Sequence, residues 1–238
     1  MSIPATLKET DNYLLNALHY MPKKQSNRCL YQSDFKSFIN TNSDTILGSI
    51  HNAYHGQTLT STNEAWRYEI RILQAVLTPW KDEDAEIIFE YDIPRLGKRI
   101  DVVLLLRGII FCLEFKVGQK DALQTDVEQV MDYALDLKNF HRYSHDRTIV
   151  PILIPTKHKS SSNVFQSSVY NDSIYNPLIT GTEDLQKLIK DALFHANAVR
   201  SESIRDWVIS PYTPTPSTVM KILDVLGIEI EYRIRQSV

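Results

Sequence analysis

The segment from Arg99 to Val117 constrains this chain most, because it places charged side chains inside two strongly apolar runs. Residues 99–106 and 109–117 have the composition of β-strands, and Arg107-Gly108 between them predicts a two-residue hairpin turn. The resulting register places Asp101 directly opposite Glu114, with Cβ atoms about 5 Å apart. Facing carboxylates are therefore expected inside an otherwise apolar sheet.

Side chains alternate along a strand, so Lys116 shares the face of Glu114 while the apolar residues between and beside them point the other way. Two facing carboxylates destabilise a sheet unless a cation or a proton neutralises them. The pattern predicts a divalent cation bound by Asp101 and Glu114, with a main-chain carbonyl such as that of Phe115 as a further ligand. The alternative is a structural ion pair of Lys116 with one carboxylate, which leaves the other unpaired.

These residue types suit the hydrolysis of a phosphodiester bond. Mg²⁺ or Mn²⁺ bound there would contact a phosphate oxygen and lower the pKa of a bound water. Lys116 would orient the attacking water and neutralise charge that develops on the phosphate. The Glu-x-Lys pattern is common on solvated strands, but here its neighbours are apolar, so the charged pair needs a polar pocket.

A helix that precedes the hairpin carries one more candidate ligand. Residues 61–64 have the form of a capping box, and the helix that they open ends before Pro79. Glu69 interrupts the apolar face of this helix. We predict that Glu69 reaches the cation, the alternative being a solvated glutamate at the edge of the apolar stripe.

A second helix, predicted over residues 122–140, places Gln129 and Tyr133 one turn apart beside its apolar stripe. An amide and a phenol suit contacts with a phosphate or a nucleobase, and the alternative for Tyr133 is a core position with a bonded hydroxyl. His141 and His145 follow this helix, where capping by cations is their predicted role.

The order helix, three strands, helix, strand predicts an α/β fold, a mixed sheet flanked by helices, with the two helices covering opposite parts of it. The expected strands outside the hairpin are Glu86–Tyr91 and Thr148–Ile154. We expect an N-terminal helical extension over 1–60, the main domain over 61–209, and a proline-rich strap with a C-terminal helix and strand over 210–238. Further predicted elements are helices at 8–18, 33–39, 182–196 and 218–226 and a strand at 228–234.

Composition limits the classes of protein that this chain resembles. With 238 residues and 43% hydrophobic content it has the size of one large domain with or without an appendage. Its start lacks the pattern of a signal peptide, which makes the cytoplasm the expected location. Cys29 and Cys112 have no metal-ligand spacing and are expected to be reduced thiols.

A net charge of −3 requires any contact with nucleic acid to be local or metal-mediated. Arg95, Lys98 and Arg99 form one such local basic cluster, the alternative being a charged loop.

The polar residues singled out above resemble, in their order, the restriction-endonuclease-like PD-(D/E)xK superfamily with the helical Q-x-x-x-Y element of its RecB-like branch. They are Glu69, Asp101, Glu114, Lys116, Gln129 and Tyr133. Ile100 stands where the superfamily name has proline. The resemblance implies an αβββαβ core in which Asp101 and Glu114 bind metal, Lys116 is catalytic and Glu69 is an auxiliary ligand. Gln129 and Tyr133 would support the site or contact the substrate.

Longer strings extend the resemblance from about residue 33 to 217. The strings IPRLGKRIDVVLLL, CLEFKVG and DYALDLKNFHRYSHDRTIVPILIPT are similar to the amino-terminal nuclease-like region of bacterial proteins that continue into a schlafen-group-3-like DNA/RNA helicase ATPase. The resemblance implies a nuclease acting on DNA, more than on RNA, with a role in defence against foreign DNA. A helicase ATPase partner and a homo-oligomer are further expectations.

The chain departs from these relatives in one respect. It contains no G-x-x-x-x-G-K-[ST] motif, so ATP binding is not implied. We expect either the nuclease-like part of a longer protein or a stand-alone version. The alternative function is a non-catalytic module that binds nucleic acid or docks onto a helicase ATPase.

Overall fold

The structure is a computed structural model that describes residues 28–54, 60–159, 163–167, 173–198, 204 and 206–225. Six strands form one mixed sheet whose spatial order follows the chain. They are β1 (Tyr31–Asp34), β2 (Glu86–Ile93), β3 (Lys98–Leu106), β4 (Ile109–Lys116), β5 (Thr148–Pro155) and β6 (Leu178–Ile179). Strands β1 to β4 are antiparallel neighbours, whereas β5 and β6 join in parallel.

Six α-helices accompany the sheet in the described part of the chain. They are α1 (Phe35–Asn40), α2 (Ser43–Ala53), α3 (Thr60–Val76), α4 (Gln124–Phe140), α5 (Leu185–His195) and α6 (Pro216–Val225). A parallel neighbour needs a crossover connection, and α4 supplies it between β4 and β5. The α/β class and the predicted order helix, three strands, helix, strand are confirmed.

The alternation of β4 divides the interior into two cores. Phe111 and Leu113 pack on one face with apolar residues of α1, α2, α3 and α5, whereas Ile110 and Cys112 pack on the other face with α4. Cys29 and Cys112 are buried free thiols. The helices α3 and α4 therefore cover opposite faces of the sheet.

The central hairpin has the predicted register. Leu106 pairs with Ile109, and the ladder continues without a slip to Val102 and Leu113. The turn residues Arg107 and Gly108 both have positive φ, 51° and 77°, which is the conformation of a type I′ turn. Asp101 and Glu114 lie one position beyond the last pair of this ladder.

Several predicted boundaries are wrong. Residues 33–39 are not one helix, because the first two belong to β1 and the Asp34 carboxylate caps α1 by accepting the N–H of Ser37 at 2.8 Å. Helix α3 begins at Thr60, so Ser61 lies inside it and is not its cap. The strap is shorter than predicted, since α6 already begins at Pro216. The predicted helix at 8–18 and strand at 228–234 lie outside the described residues.

Residues 31–53, assigned from the sequence to an N-terminal extension, are continuous with the sheet. Strand β1 pairs with β2, and α1 and α2 contribute buried residues to the core beneath α3. A four-residue edge strand is too short to show clear alternation, which is why the sequence did not predict it.

Candidate active site

Strand β4 presents Glu114 on the face that α4 covers, as its alternation with Ile110 and Cys112 requires. The alternation of β3 is interrupted at Asp101, since Ile100 and Val103 pack in the core beneath α4 whereas Val102 packs in the opposite core. The Asp101 carboxylate accepts the main-chain N–H of Phe115 at 2.8 Å. This bond fixes the aspartate against the neighbouring strand. The N–H of Phe115, and not its carbonyl, is the contact that the structure shows.

Lys116 lies at the end of β4 between two carboxylates. Its Nζ donates to Glu114 Oε1 at 3.0 Å and lies 3.2 Å from Asp126 Oδ1, in the first turn of α4. The ion pair that the sequence offered as the alternative is therefore present. It does not account for the second oxygen of Glu114, which is buried without a hydrogen-bond partner.

Gln129 joins the lysine to the glutamate from the α4 side. Its Nε2 donates to Glu114 Oε1 at 2.8 Å and to the Tyr133 hydroxyl at 2.5 Å, while its Oε1 accepts from Lys116 Nζ at 3.3 Å. Tyr133 is buried, and burial followed by the charge of Glu114 raises the pKa of its hydroxyl. The structure thus brings Gln129 and Tyr133 to the predicted place.

Glu69 is buried and not solvated. Its residue is 4% exposed on α3, and its Oε2 has no hydrogen-bond partner. Burial, followed by the charges of Glu90 and Glu114, raises the pKa of its carboxyl. Glu69 therefore shares one electrostatic environment with the acids of the sheet.

Glu90 is a nearby acid that the sequence analysis did not single out. It lies in β2 between Phe89, which pairs with Val102, and Tyr91, which pairs with Ile100, so its position faces Asp101. The Trp66 indole donates to its Oε1 at 2.8 Å. We call Glu69, Glu90, Asp101 and Glu114 the carboxylate cluster.

The carboxylate cluster is electrostatically unfavourable when its four acids are ionised and no cation is bound. Burial and then the charges of the other three acids raise the pKa of Asp101 well above its usual range. Burial also raises the pKa of Glu90, against the hydrogen bond from Trp66, which acts to lower it. Burial likewise raises the pKa of Glu114, against the charge and hydrogen bond of Lys116, which act to lower it. Protonation and cation binding are the two ways to relieve such repulsion.

Lys116 keeps its charge in this environment. Burial acts to lower the pKa of its ammonium group, but the charges and hydrogen bonds of Glu114 and Asp126 outweigh burial and the pKa is raised. Lys116 is thus an ammonium at neutral pH. It can donate hydrogen bonds and stabilise negative charge, and it is not poised to accept a proton.

Two residues predicted to act outside the cluster have protein partners. Arg95 binds Asp136 at 3.2 Å and lies over the Phe140 ring. His141 is not a cationic cap, because burial lowers its pKa to about 3 and its ring is neutral. Lys98 and Arg99 remain exposed at the start of β3.

The residues fit a hydrated divalent cation better than a closed metal cage. In the described ranges, no group of three or more His, Cys, Asp or Glu side chains is arranged to hold a metal ion. Mg²⁺ usually keeps several waters and needs only one or two carboxylates. The buried oxygens of Glu69 and Glu114 that lack partners are suitable acceptors for such an ion or its waters.

Comparison with known proteins adds no assignment. No family model, curated protein or solved structure matches this chain. None of the helices in the described part of the chain has the length and apolar character needed to cross a membrane.

Proposed function

We propose that this chain is a nuclease that hydrolyses phosphodiester bonds of DNA with Mg²⁺ or Mn²⁺ as its cofactor. The observation that carries the proposal is the buried oxygen of Glu114 without a partner, beside an oxygen of the same carboxylate that Lys116 and Gln129 hold. A purely structural ion pair gives no reason for the second oxygen of the carboxylate to stay without a partner. In a site that binds a cation and a phosphate, that oxygen is the one available to the cation.

Each residue of the site has a separate task in this proposal. Asp101, Glu114 and the carbonyl of Phe115 would hold the cation, with Glu69 as an auxiliary ligand. The bound cation would polarise the phosphate and lower the pKa of a water. The ammonium group of Lys116 donates a hydrogen bond to the attacking water or the phosphate and so stabilises the charge that grows there.

Gln129 positions the lysine for this task. Because its amide contacts Glu114, Lys116 and Tyr133 together, the ammonium group is held at one place relative to the carboxylate. Preorganised donors are effective because they need no rearrangement during the reaction. Gln129 and Tyr133 thus act through Lys116 and Glu114.

Exposed lysines beside Lys116 favour a polyanionic substrate. The loops after β4 and β5 are tied together, since Lys157 N donates to Gln119 O at 2.8 Å and Gly118 N donates to Thr156 Oγ1 at 2.8 Å. They expose Lys120, Lys157 and Lys159 at the same end of the sheet as Lys116. Such cations bind the phosphate backbone without reading sequence.

DNA as the substrate, a role in defence against foreign DNA and a helicase ATPase as partner rest on the sequence resemblance and are parts of the same proposal. A second candidate function is a non-catalytic module that binds nucleic acid or docks onto such a partner. The observation that favours it is the position of Lys116, which Glu114 and Asp126 neutralise from two sides.

A cleavage assay separates the two functions. The chain is incubated with linear duplex, circular duplex and single-stranded DNA, and with RNA, in Mg²⁺, Mn²⁺ or EDTA. We expect cation-dependent cleavage of DNA that Asp101→Asn abolishes and that Asp132→Asn, a matched change at an exposed position of α4, leaves intact. If no DNA or RNA is cut with either ion, the nuclease proposal is wrong and the docking module replaces it.

A further inference from the structure

Glu90 has a backbone conformation that its side chain disfavours. Its φ is 54°, which is a left-handed conformation, and among the described residues it is the only strand residue with positive φ outside glycine. The ladder pairs flank it on both sides but skip it. Strained positions of this kind persist where the surroundings enforce them, and they concentrate at functional sites.

Contacts with neighbouring residues hold Glu90 beside the other three acids. The Trp66 indole holds its Oε1, and Trp66 lies one helical turn before Glu69 on α3. Helix α3 therefore carries the buried Glu69, and through Trp66 it also binds Glu90 on the sheet. The position of Glu90 in β2 faces that of Asp101 in β3.

A purely structural role explains Glu90 poorly. A neutral glutamine would accept the indole N–H equally well without adding a like charge to three other acids. Arg99 does not neutralise Glu90 effectively, because the ion pair spans 3.9 Å and the arginine side chain is 40% exposed. The negative charge at this position thus lacks a protein partner of matching strength.

We infer that Glu90 is a further acid of the cation site, which contributes its charge to a hydrated divalent cation through a cation-bound water. The inference rests on the cation of the proposed function. Two neighbouring oxygens support it. Glu69 and Glu114 are each only 4% exposed, and each has one buried carboxylate oxygen without a hydrogen-bond partner. Glu90 belongs neither to the Glu-x-Lys pattern nor to the helix that carries Glu69, the two sequence features from which the site was predicted.

Thermal melting with Mn²⁺ alone, without nucleic acid, tests this inference. Glu90→Gln keeps an acceptor for Trp66 and removes the charge. The Mn²⁺ concentration that gives half of the maximal rise in melting temperature should therefore increase about tenfold or more. The metal-free melting temperature of this variant should stay the same or rise, since repulsion falls. Glu86→Gln, at the first residue of the same strand, where Glu86 accepts from Gln32, should respond to Mn²⁺ as the wild type does.

Glu90→Gly provides a second readout that does not depend on the folding of the first variant. Glycine tolerates the left-handed conformation but leaves the Trp66 indole without its acceptor, and these two effects oppose each other in the metal-free melting temperature. The readout is therefore the Mn²⁺ response, which should fall as it does in Glu90→Gln. A wild-type Mn²⁺ response in both variants, with a lower metal-free melting temperature in Glu90→Gln, would assign Glu90 a structural role and overturn the inference.

The failure of this inference is distinguishable from that of the proposed function. If the wild type responds to Mn²⁺ and cuts DNA but Glu90→Gln does both equally well, Glu90 is outside the site and the nuclease proposal stands. If the wild type shows neither response nor cleavage, both are wrong.

Discussion

Two buried polar clusters of this molecule differ in how their hydrogen bonds are satisfied. The first, which we call the histidine cluster, consists of His141, Ser144 and Trp207. His141 Nε2 donates to the Trp207 carbonyl at 3.0 Å, so its Nδ1 accepts from the Ser144 hydroxyl at 2.7 Å, and that hydroxyl accepts from the Trp207 indole at 2.9 Å. Each polar side-chain atom has a partner.

The carboxylate cluster does not satisfy itself in this way. Two of its buried oxygens have no partner, and its acids repel one another. Buried polar groups with a structural role and those with a functional role therefore differ in whether the protein itself supplies all of their partners. A complete internal network fixes a segment of chain, whereas an incomplete one marks a place where a ligand completes it.

The largest expected effect tests the chemistry of the carboxylate cluster. Lys116→Ala should lower the cleavage rate about 10²–10³-fold, because it removes a preorganised donor at the developing charge. The variant should keep its fold and its Mn²⁺ uptake, which melting curves check. Undiminished cleavage by Lys116→Ala would remove the lysine from the mechanism.

A mutation in the histidine cluster should instead act on stability. Ser144→Ala leaves the His141 Nδ1 without a donor and the Trp207 indole without an acceptor, so it should lower the free energy of unfolding by roughly 2–4 kcal/mol. Urea unfolding measures this loss. The Mn²⁺ response of the folded variant should be that of the wild type, and a changed response would show that the two clusters are coupled.

These two clusters also differed in how far the sequence predicted them. The hairpin, its register and the positions of Glu114 and Lys116 follow from local alternation and a two-residue turn. Gln129 and Tyr133 follow from the helical period. The histidine cluster was not predicted, because it joins residues more than 60 positions apart through a segment with no regular pattern.

Glu90 and Asp126 were missed for other reasons. A glutamate in a strand gives no sign of a left-handed backbone, which glycine usually marks. Asp126 is one of several acids on α4, and its contact with Lys116 depends on the angle at which α4 crosses the sheet. The acid in the first turn of a helix is equally consistent with dipole stabilisation.

The acid stability of the protein sharpens the comparison further. The pKa of His141 is about 3 in the folded protein against 6.5 ordinarily, so the unfolded chain binds the proton first as pH falls. Its stabilising contribution is present above pH 6.5 and is lost toward pH 3, by about 2 kcal/mol between pH 7 and 5. Urea unfolding of the wild type and His141→Phe should show this change in the difference between their unfolding free energies, because the carboxylates with raised pKa values contribute equally to both proteins. Equal slopes would show that another group titrates.

The smallest expected effect concerns the approach of the substrate. The double substitution Lys157→Gln and Lys159→Gln should raise KM a few-fold without changing kcat, because each exposed charge contributes less than about 1 kcal/mol. Lys187→Gln with Lys190→Gln on α5 is the matched control. Those lysines line a groove with Trp80 and Arg107 at the opposite end of the strands. An equal effect of both pairs would point to net charge and not to the loops.

Calorimetric titration of Mn²⁺ into the metal-free protein tests most directly whether the carboxylate cluster is a cation site. We expect saturable binding of about one or two ions per chain that Asp101→Asn abolishes and Ser144→Ala retains. An absence of saturable binding to the wild type, or unchanged binding to Asp101→Asn, would contradict the assignment of the carboxylate cluster as a cation site.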